Sequence, residues 1–191
     1  AASDLGDAIN AGRTLAPNVH LVGMSWGGLL ALAAAADGLT GRLASLTLLT
    51  PALYSKPIGL AFVIKVASGL LLRRPRVIEL PVVPEDFTKI PEKLTFVRND
   101  LLRAKVATPG FLWETMLLQQ RVRRMSPARA PKHLTVALSD IDTLIDNGKT
   151  AALAERLGGR VRHFPGTRHS LALEDPQGVA AMLHEHVGLE T

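Results

Sequence analysis

Residues 19–36, "VHLVGMSWGGLLALAAAA", constrain the fold of this chain more than any other stretch. A short apolar run, which predicts a buried strand, breaks at "GMSWG" (residues 23–27) and continues at once as an alanine-rich helical pattern. Residues 44–50, "ASLTLLT", predict a second strand. A strand, a helix and a strand in this order imply a parallel pair with a right-handed crossover.

The same alternation returns near the end of the chain. It predicts strands at 133–139 and 159–166 and helices at 149–157 and 176–187. Residues 52–128, in contrast, hold short helical pieces separated by prolines, which is typical of an insertion. The sequence therefore predicts an α/β fold with a mostly parallel sheet, in which residues 1–51 and 129–191 form the core and residues 52–128 an inserted helical cap.

Composition excludes several kinds of protein. The 191 residues suit one globular domain, and the absence of cysteine excludes disulfides, thiolate zinc sites and cysteine nucleophiles. The longest apolar stretch, residues 59–72, contains Lys65 and is shorter than the roughly 20 residues that span a bilayer. No secretory signal is recognisable in "AASDLGDAINAG", so we expect a cytoplasmic protein.

The net charge of +5 is concentrated in two basic stretches, "RRPR" (residues 73–76) and "RVRRMSPARAPK" (residues 121–132). These stretches suit anionic lipid or an acidic substrate, or they form a solvated surface, and we expect no nucleic-acid partner. Residues 59–72 followed by the first basic stretch would form an interfacial anchor. Peripheral membrane contact through the cap is therefore one alternative for this chain.

The motif "GMSWG" places Ser25 on a sharp strand-to-helix turn, with glycines on both sides where neighbouring atoms approach closely. Such a turn aims the hydroxyl at the positive end of the following helix. The backbone N–H groups there, starting with that of Trp26, can hold the oxyanion of a tetrahedral intermediate. The alternative is that Ser25 only caps the helix.

A serine nucleophile needs a histidine base, with an acid between the two in chain order. His169 suits the base, because "FPGTRHSLALEDP" places it in a loop between a strand and the last helix. The remaining histidines begin a strand, lie inside one or lie on the closing helix: His20, His133, His163, His184 and His186.

Three aspartates in "ALSDIDTLIDN" are candidates for the acid. Asp142 is favoured because it lies a few residues past the strand, Asp140 is the second choice, and Asp146 suits the cap of a helix that begins near Gly148. Ser25 and these acids all follow the carboxyl ends of predicted parallel strands, where α/β sheets hold their sites.

Together, "LVGMSWGG", "ALSDIDTLID" and "FPGTRHSLALED" resemble the α/β-hydrolase superfamily. They are most similar to its branch of monoacylglycerol lipases, lysophospholipases and serine aminopeptidases, as is "FVRNDLLRAKVATPGFLWETM" in the cap. The resemblance implies that Ser25 is the nucleophile, Asp142 the acid and His169 the base. The family usually has His and Met around the serine where this chain has Met24 and Trp26, and we expect the indole to reshape the pocket.

The sequence departs from the family pattern before its first predicted strand. Family members carry about a hundred residues before the elbow strand, which supply further strands and a second oxyanion donor, whereas 18 residues precede it here. We therefore expect the chain to be the C-terminal part of a longer hydrolase. Its "VHLVGM" strand would be an exposed apolar edge, at which a homo-oligomer or another partner completes the sheet.

The predicted function is that of a serine hydrolase, an esterase or lipase-like enzyme. It cleaves a small-molecule carboxylic ester, either lipid-like or with a small acyl group, through Ser25, His169, Asp142 and an acyl-enzyme. The Trp26 N–H forms half of the oxyanion hole, and no metal or cofactor is required. The alternative is a catalytically silent fragment or interaction module that needs an N-terminal half or a partner. Acyltransferase and peptidase activities also stay open.

Overall fold

Four parallel strands form the central sheet in the computed structural model, which describes residues 2–38, 43–56, 59–71 and 77–188. The strands among these described residues are β1 (His20–Met24), β2 (Ser45–Leu49), β3 (Ile78–Glu79), β4 (Val106–Ala107), β5 (Leu134–Ser139) and β6 (Arg160–Phe164). The central sheet has the order β1-β2-β5-β6, and β3 and β4 form a separate antiparallel pair. This arrangement confirms the predicted α/β class with its parallel sheet.

Helices cover both faces of the sheet. They are α1 (Ala2–Leu15), α2 (Trp26–Ala36), α7 (Asn147–Arg156), α8 (Leu171–Glu174) and α9 (Pro176–Gly188). Leu48 and Val136 pack in one core cluster with α2 and α7, whereas their chain neighbours Leu49 and Ala137 pack in a second cluster with α8 and α9. Because successive strand residues point to opposite faces, the two clusters lie on opposite sides of the sheet.

The apolar composition of the two central strands follows from their position in the sheet. Every residue of β2 and β5 is buried, because each strand is paired on both sides and covered on both faces. This environment favours the continuous apolar runs seen in the sequence over an alternating pattern.

Strand β1 lies at the sheet edge, and among the described residues it pairs only with β2. Its Val22 and Met24 are 44% and 48% exposed. Completion of the sheet at β1 by a second copy or another partner stays a prediction.

The described part of residues 52–128 holds four further α-helices and the β3–β4 pair. The helices are α3 (Leu60–Leu71), α4 (Pro84–Phe87), α5 (Pro91–Asn99) and α6 (Pro109–Arg123). Pro84, Pro91 and Pro109 each occupy the first helical position, where the missing N–H costs nothing. Three of the prolines that separate the pieces in the sequence are thus helix starts. Helix α6 packs against both α2 and α3.

None of the helices in the described ranges is long and apolar enough to cross a membrane. The predicted anchor is described only in part, because its basic residues 73–76 lie outside the described residues.

Candidate active site

Ser25 lies on a strained turn between β1 and α2. Its φ is 50° and its ψ is −118°, a conformation that is costly for a residue with a side chain. The turn is held by the Ser25 N–H, which donates to the Leu49 carbonyl at 3.0 Å, and by the Ser25 carbonyl, which accepts from the Ala52 N–H at 2.9 Å. Although Ser25 occupies the N-cap position of α2, its hydroxyl makes no capping hydrogen bond, so the capping interpretation is wrong.

Close packing at the turn requires glycine at two positions. A Cβ on Gly23 would lie 2.8 Å from the Gly28 Cα and 2.9 Å from the Gly27 carbonyl oxygen, and one on Gly28 would lie 2.8 Å from Pro51 Cβ. A Cβ on Gly27 would meet nothing within 4 Å. On the helix side, glycine is therefore required at Gly28 and not at Gly27, the second glycine of the predicted motif.

The hydroxyl of Ser25 instead faces His169. Its Oγ lies 2.9 Å from His169 Nε2, and Nδ1 of the same ring lies 2.7 Å from Asp142 Oδ2. A carboxylate only accepts hydrogen bonds, so Nδ1 carries the proton and Nε2 is free to accept the Ser25 proton. The structure thus brings the three sequence-predicted residues into one hydrogen-bonded chain, with His169 and Asp142 both buried.

The carboxylate of Asp142 is held at both oxygens. Oδ1 accepts from the backbone N–H groups of Leu144 at 2.7 Å and Ile145 at 3.1 Å, and Oδ2 also accepts from the Ser139 hydroxyl at 3.2 Å. Burial raises the pKa of Asp142, but the hydrogen bonds from His169 and from the two N–H groups outweigh it, and the pKa lies below its usual value. Asp142 is therefore ionised beside His169 at neutral pH.

The other predicted candidates lie elsewhere. Asp140 contacts His163 at 3.2 Å on the exposed surface. Asp146 caps α7 by accepting from the Lys149 N–H at 3.0 Å, which confirms its predicted capping role. The remaining partnered histidines bond to strand residues, with His20 2.8 Å from Ser45 and His186 2.8 Å from Thr135.

Trp26 connects the turn to α6, which lies in the proposed cap. In the described part of the chain its backbone N–H donates no hydrogen bond to the backbone, as expected for the first residue of a helix. Its indole Nε1–H donates to Thr115 Oγ1 at 3.1 Å, and its ring centroid lies 5.2 Å from that of Phe111. The indole is thus held by α6, while the N–H beside Ser25 is available to a ligand.

Two residues that the sequence did not single out support the histidine and the aspartate. Thr50, fully buried with a φ of 42°, donates its hydroxyl to the His169 carbonyl at 2.7 Å. Lys56 Nζ lies 2.5 Å from the Asp142 carbonyl oxygen. Thr50 could have been proposed from the sequence because it directly follows β2, and the ends of neighbouring parallel strands meet at this edge of the sheet.

A cavity of about 610 Å³ lies beside the site, between α3, α6 and the residues that follow Asp142. Its lining is mostly apolar and includes Phe62, Val66, Leu112, Trp113, Met116 and Leu144. Among the described residues, no group of three or more His, Cys, Asp or Glu side chains is placed to hold a metal ion.

Comparison with known proteins gives the family and the fold of this chain. The sequence profile of the Alpha/beta hydrolase family matches residues 1–182. No curated protein matches the chain in sequence.

Several solved structures share the fold. The monoacylglycerol lipase of Paleococcus ferrophilus superposes with a TM-score of 0.80 at 17% identity, over 98% of this chain and 75% of that one. A soluble variant of the monoglyceride lipase of Saccharomyces cerevisiae, bound to a substrate analogue, gives 0.79 at 15% identity, over 98% and 67%. A carboxyl esterase of Bacillus coagulans, bound to glycerol, gives 0.72 at 15% identity, over 97% and 68%.

Proposed function

Because the chain belongs to the alpha/beta hydrolase family, we propose that it is a serine hydrolase that cleaves carboxylic esters. The observation that carries this proposal is the continuous hydrogen-bonded chain from Ser25 through His169 to Asp142, with separations of 2.9 and 2.7 Å. A nucleophile, a base within hydrogen-bond reach and an acid that orients the base are the three parts that acyl transfer by a serine requires.

In the first half of the reaction, Ser25 Oγ attacks the acyl carbonyl carbon while its proton passes to His169 Nε2. Asp142 keeps the imidazole in the correct tautomer and stabilises the imidazolium that forms. When the tetrahedral intermediate collapses, the bond to the alcohol oxygen breaks, and His169 returns the proton to that oxygen. The alcohol leaves, and the acyl group stays on Ser25.

In the second half, water attacks the acyl-enzyme. His169 Nε2 takes a proton from the water, the bond between the acyl carbon and Ser25 Oγ breaks, and the proton returns to Ser25. The Trp26 N–H donates to the oxyanion in both halves. Its free donor at the positive end of α2 favours negative charge at this position.

The apolar cavity supports a lipid-like ester as the substrate. Its volume suits an acyl chain, and its lining carries more hydrocarbon than hydrogen-bonding groups, which favours an acyl chain over a peptide. Two neighbours in fold are described as lipases of monoacylglycerol or monoglyceride, which adds to the case for this substrate class.

A second property, peripheral membrane contact, is favoured by the exposed surface. Of the nineteen large hydrophobic side chains exposed in the described ranges, fifteen lie between residues 60 and 117. Leu101 and Leu102, next to Arg103, are each 94% exposed. Leucines beside basic groups suit the interface of an anionic bilayer, where a lipid ester would be found.

The experiment for the catalytic proposal treats the folded chain with a fluorophosphonate probe and locates the adduct by mass spectrometry. We expect a new bond between Ser25 Oγ and phosphorus, with loss of fluoride. Ser25→Ala should abolish labelling, and ester hydrolysis should fall by at least about 10⁴-fold. Ser68→Ala, which changes an exposed serine of α3, is the matched control and should label as the wild type does.

Labelling at another serine, or none in a chain that circular dichroism shows to be folded, would contradict the proposal. The silent interaction module would then be the better interpretation of the fold.

A further inference from the structure

The loop that carries His169 is held by residues of the insertion. Residues 166–174, called here the histidine loop, run beside residues 85–89, called the clamp segment. The Ser170 N–H donates to the Phe87 carbonyl at 2.9 Å, and the His169 N–H donates to the Asp86 carbonyl at 3.3 Å. The Phe87 ring meets the His169 imidazole edge-on, with centroids 6.0 Å apart.

Two basic side chains tie the same segments together. Arg168 Nη1 donates to the Glu85 carbonyl at 2.6 Å, and Lys89 Nζ donates to the Gly166 carbonyl at 2.5 Å. The histidine loop therefore contacts the clamp segment from its first residues to its last.

Within the described ranges, Glu174 is the one carboxylate that bonds to both segments. Its Oε1 accepts from the Lys89 N–H at 2.8 Å and from the Thr88 hydroxyl, and its Oε2 accepts from the Arg168 N–H at 3.1 Å. Thr88 is fully buried, and its hydroxyl oxygen accepts in turn from the Ile90 N–H at 3.1 Å. Three donors from two segments thus converge on one side chain.

The charge on Glu174 is maintained at neutral pH. Burial raises the pKa of Glu174, but the hydrogen bonds from Thr88, Lys89 and Arg168 outweigh this effect, and the pKa lies below its usual value. Hydrogen bonds to an ionised carboxylate are stronger than those to a neutral acceptor. Loss of this carboxylate would leave the buried Thr88 hydroxyl and two backbone N–H groups without their partner.

We propose that Glu174 is a positioning residue, which fixes His169 against Ser25 by fastening the histidine loop to the clamp segment. The inference rests on the proposed function, because it assigns a role within the same site. Glu174 does not touch the reacting atoms. It acts through the backbone of Arg168 and through Thr88 and Lys89, and these hold the loop that presents the imidazole.

The consequence for the reaction is geometric. Transfer of the Ser25 proton needs Nε2 within hydrogen-bond reach of Oγ, now 2.9 Å away. A displacement of about 1 Å in a reacting group costs up to about a hundredfold in rate. The substrate cavity, in contrast, is lined by no residue of the clamp segment or of the histidine loop, so its contacts with substrate should change little.

The test compares Glu174→Ala with Glu185→Ala, which removes a glutamate that pairs with Arg162 on the exposed face of α9. Two readouts are measured after thermal unfolding has shown that each variant is folded. The first is kcat and KM for p-nitrophenyl acetate, a soluble ester too small to depend on the apolar cavity. The second is the NMR resonance of the imidazole proton that His169 Nδ1 shares with Asp142, in ¹⁵N-histidine-labelled protein.

We expect Glu174→Ala to lower kcat between about tenfold and a hundredfold, with KM changed less than about twofold. The His169 Nδ1 proton should shift upfield or broaden, because its bond to Asp142 is less well held. Glu185→Ala should leave both readouts as in the wild type. Glu174→Gln, which retains a carbonyl oxygen for Thr88 and Lys89, should recover part of kcat.

A folded Glu174→Ala variant with wild-type kcat and an unmoved resonance would overturn the proposal. A Glu174→Ala variant that loses stability but keeps the wild-type kcat and resonance would overturn it as well. If Glu174→Ala does not fold, Thr88→Val removes one donor at the same carboxylate, and a kcat reduced about threefold with the resonance shifted is the expected result. If the wild-type chain cleaves no ester, the proposed function fails separately, and the resonance still decides whether Glu174 positions His169.

Discussion

Among the described residues, Ser25 and Thr50 are the two non-glycine residues with a positive φ. They follow β1 and β2, which are neighbours in the sheet, and each makes a hydrogen bond to His169. Residues in this backbone region cost on the order of 1–3 kcal/mol each, and they persist where surrounding contacts hold them. The strain at Thr50 is therefore best explained by the hydroxyl that it presents to the His169 carbonyl.

A substitution at Thr50 tests this explanation at the scale of one residue. Thr50→Val keeps the shape and the branched Cβ but leaves the buried His169 carbonyl with the Leu171 N–H at 3.1 Å as its remaining donor. We therefore expect a loss of about 0.5–1.5 kcal/mol in stability and a lower kcat. Thr50→Ser retains the hydroxyl and should keep kcat within about threefold of the wild type. Urea unfolding and ester hydrolysis measure the two quantities. Equal kcat for the two variants would show that the hydroxyl has no part in holding His169.

The residues of the candidate site were predictable from the sequence to different degrees. Ser25, Asp142 and His169 have fixed chain order and follow strand ends, so periodicity and spacing pointed to them. Thr50 and Glu174 act by bonding to the backbone of another segment. The position of Thr50 after a strand end indicates the right edge of the sheet, but the backbone group that each side chain bonds depends on tertiary placement, which no spacing in one sequence encodes.

At the scale of elements, the contact between β1 and α2 depends on glycine. Gly23 in the strand and Gly28 in the helix approach so closely that a methyl group at either would meet backbone or proline atoms below 3.0 Å. Backbone cannot move aside as a flexible side chain can. The sharp turn that exposes Ser25 is therefore built by the packing of two elements as well as by local backbone preference.

Paired glycine substitutions test this packing. Gly23→Ala should lower the free energy of unfolding by about 1–3 kcal/mol, because the new methyl overpacks the contact. Gly27→Ala is the matched control. It adds a methyl in open space within α2, and it should be neutral or stabilise by up to about 1 kcal/mol through helix propensity. Chemical denaturation measures both, and a Gly23→Ala chain as stable as Gly27→Ala would contradict the packing argument.

The elements themselves were predicted where they are long and regular. The strands β1, β2, β5 and β6 and the helices between them follow clear apolar patterns. The β3–β4 pair was not predicted, because two-residue strands have no periodicity to detect and form only when Ile78 and Glu79 meet Val106 and Ala107 in space. The division of the chain into core and cap stays a proposal.

At the scale of the whole molecule, charge is unevenly distributed along the chain. Residues 52–128 contain thirteen Lys and Arg against six Asp and Glu, whereas the remaining residues contain nine against eleven. The excess positive charge therefore lies in the same part of the chain as most of the exposed hydrophobic side chains. This coincidence is the basis for the proposed contact with an anionic membrane.

Vesicle flotation tests the membrane proposal. The protein should float with vesicles of phosphatidylcholine and phosphatidylglycerol, should float less with phosphatidylcholine alone, and should be released by salt. Changing Leu101 and Leu102 together to Ser should weaken binding by about tenfold, because both side chains leave the interface. Leu15→Ser, at an 89% exposed leucine of α1, is the matched control and should bind unchanged. Equal losses in both variants, or no binding to anionic vesicles at low salt, would contradict the proposal.

The contact between the clamp segment and the histidine loop limits how freely residues 52–128, the proposed cap, can be exchanged with those of a relative. If residues 52–128 only covered the sheet, a chimera could carry the corresponding residues of any relative. Here residues 85–89 contact the loop of His169 through Glu174, so this part of the proposed cap is structurally tied to the candidate site. A functional graft would have to keep residues 85–89 or replace them together with Glu174. Sequence variation in the proposed cap is therefore coupled to the histidine loop.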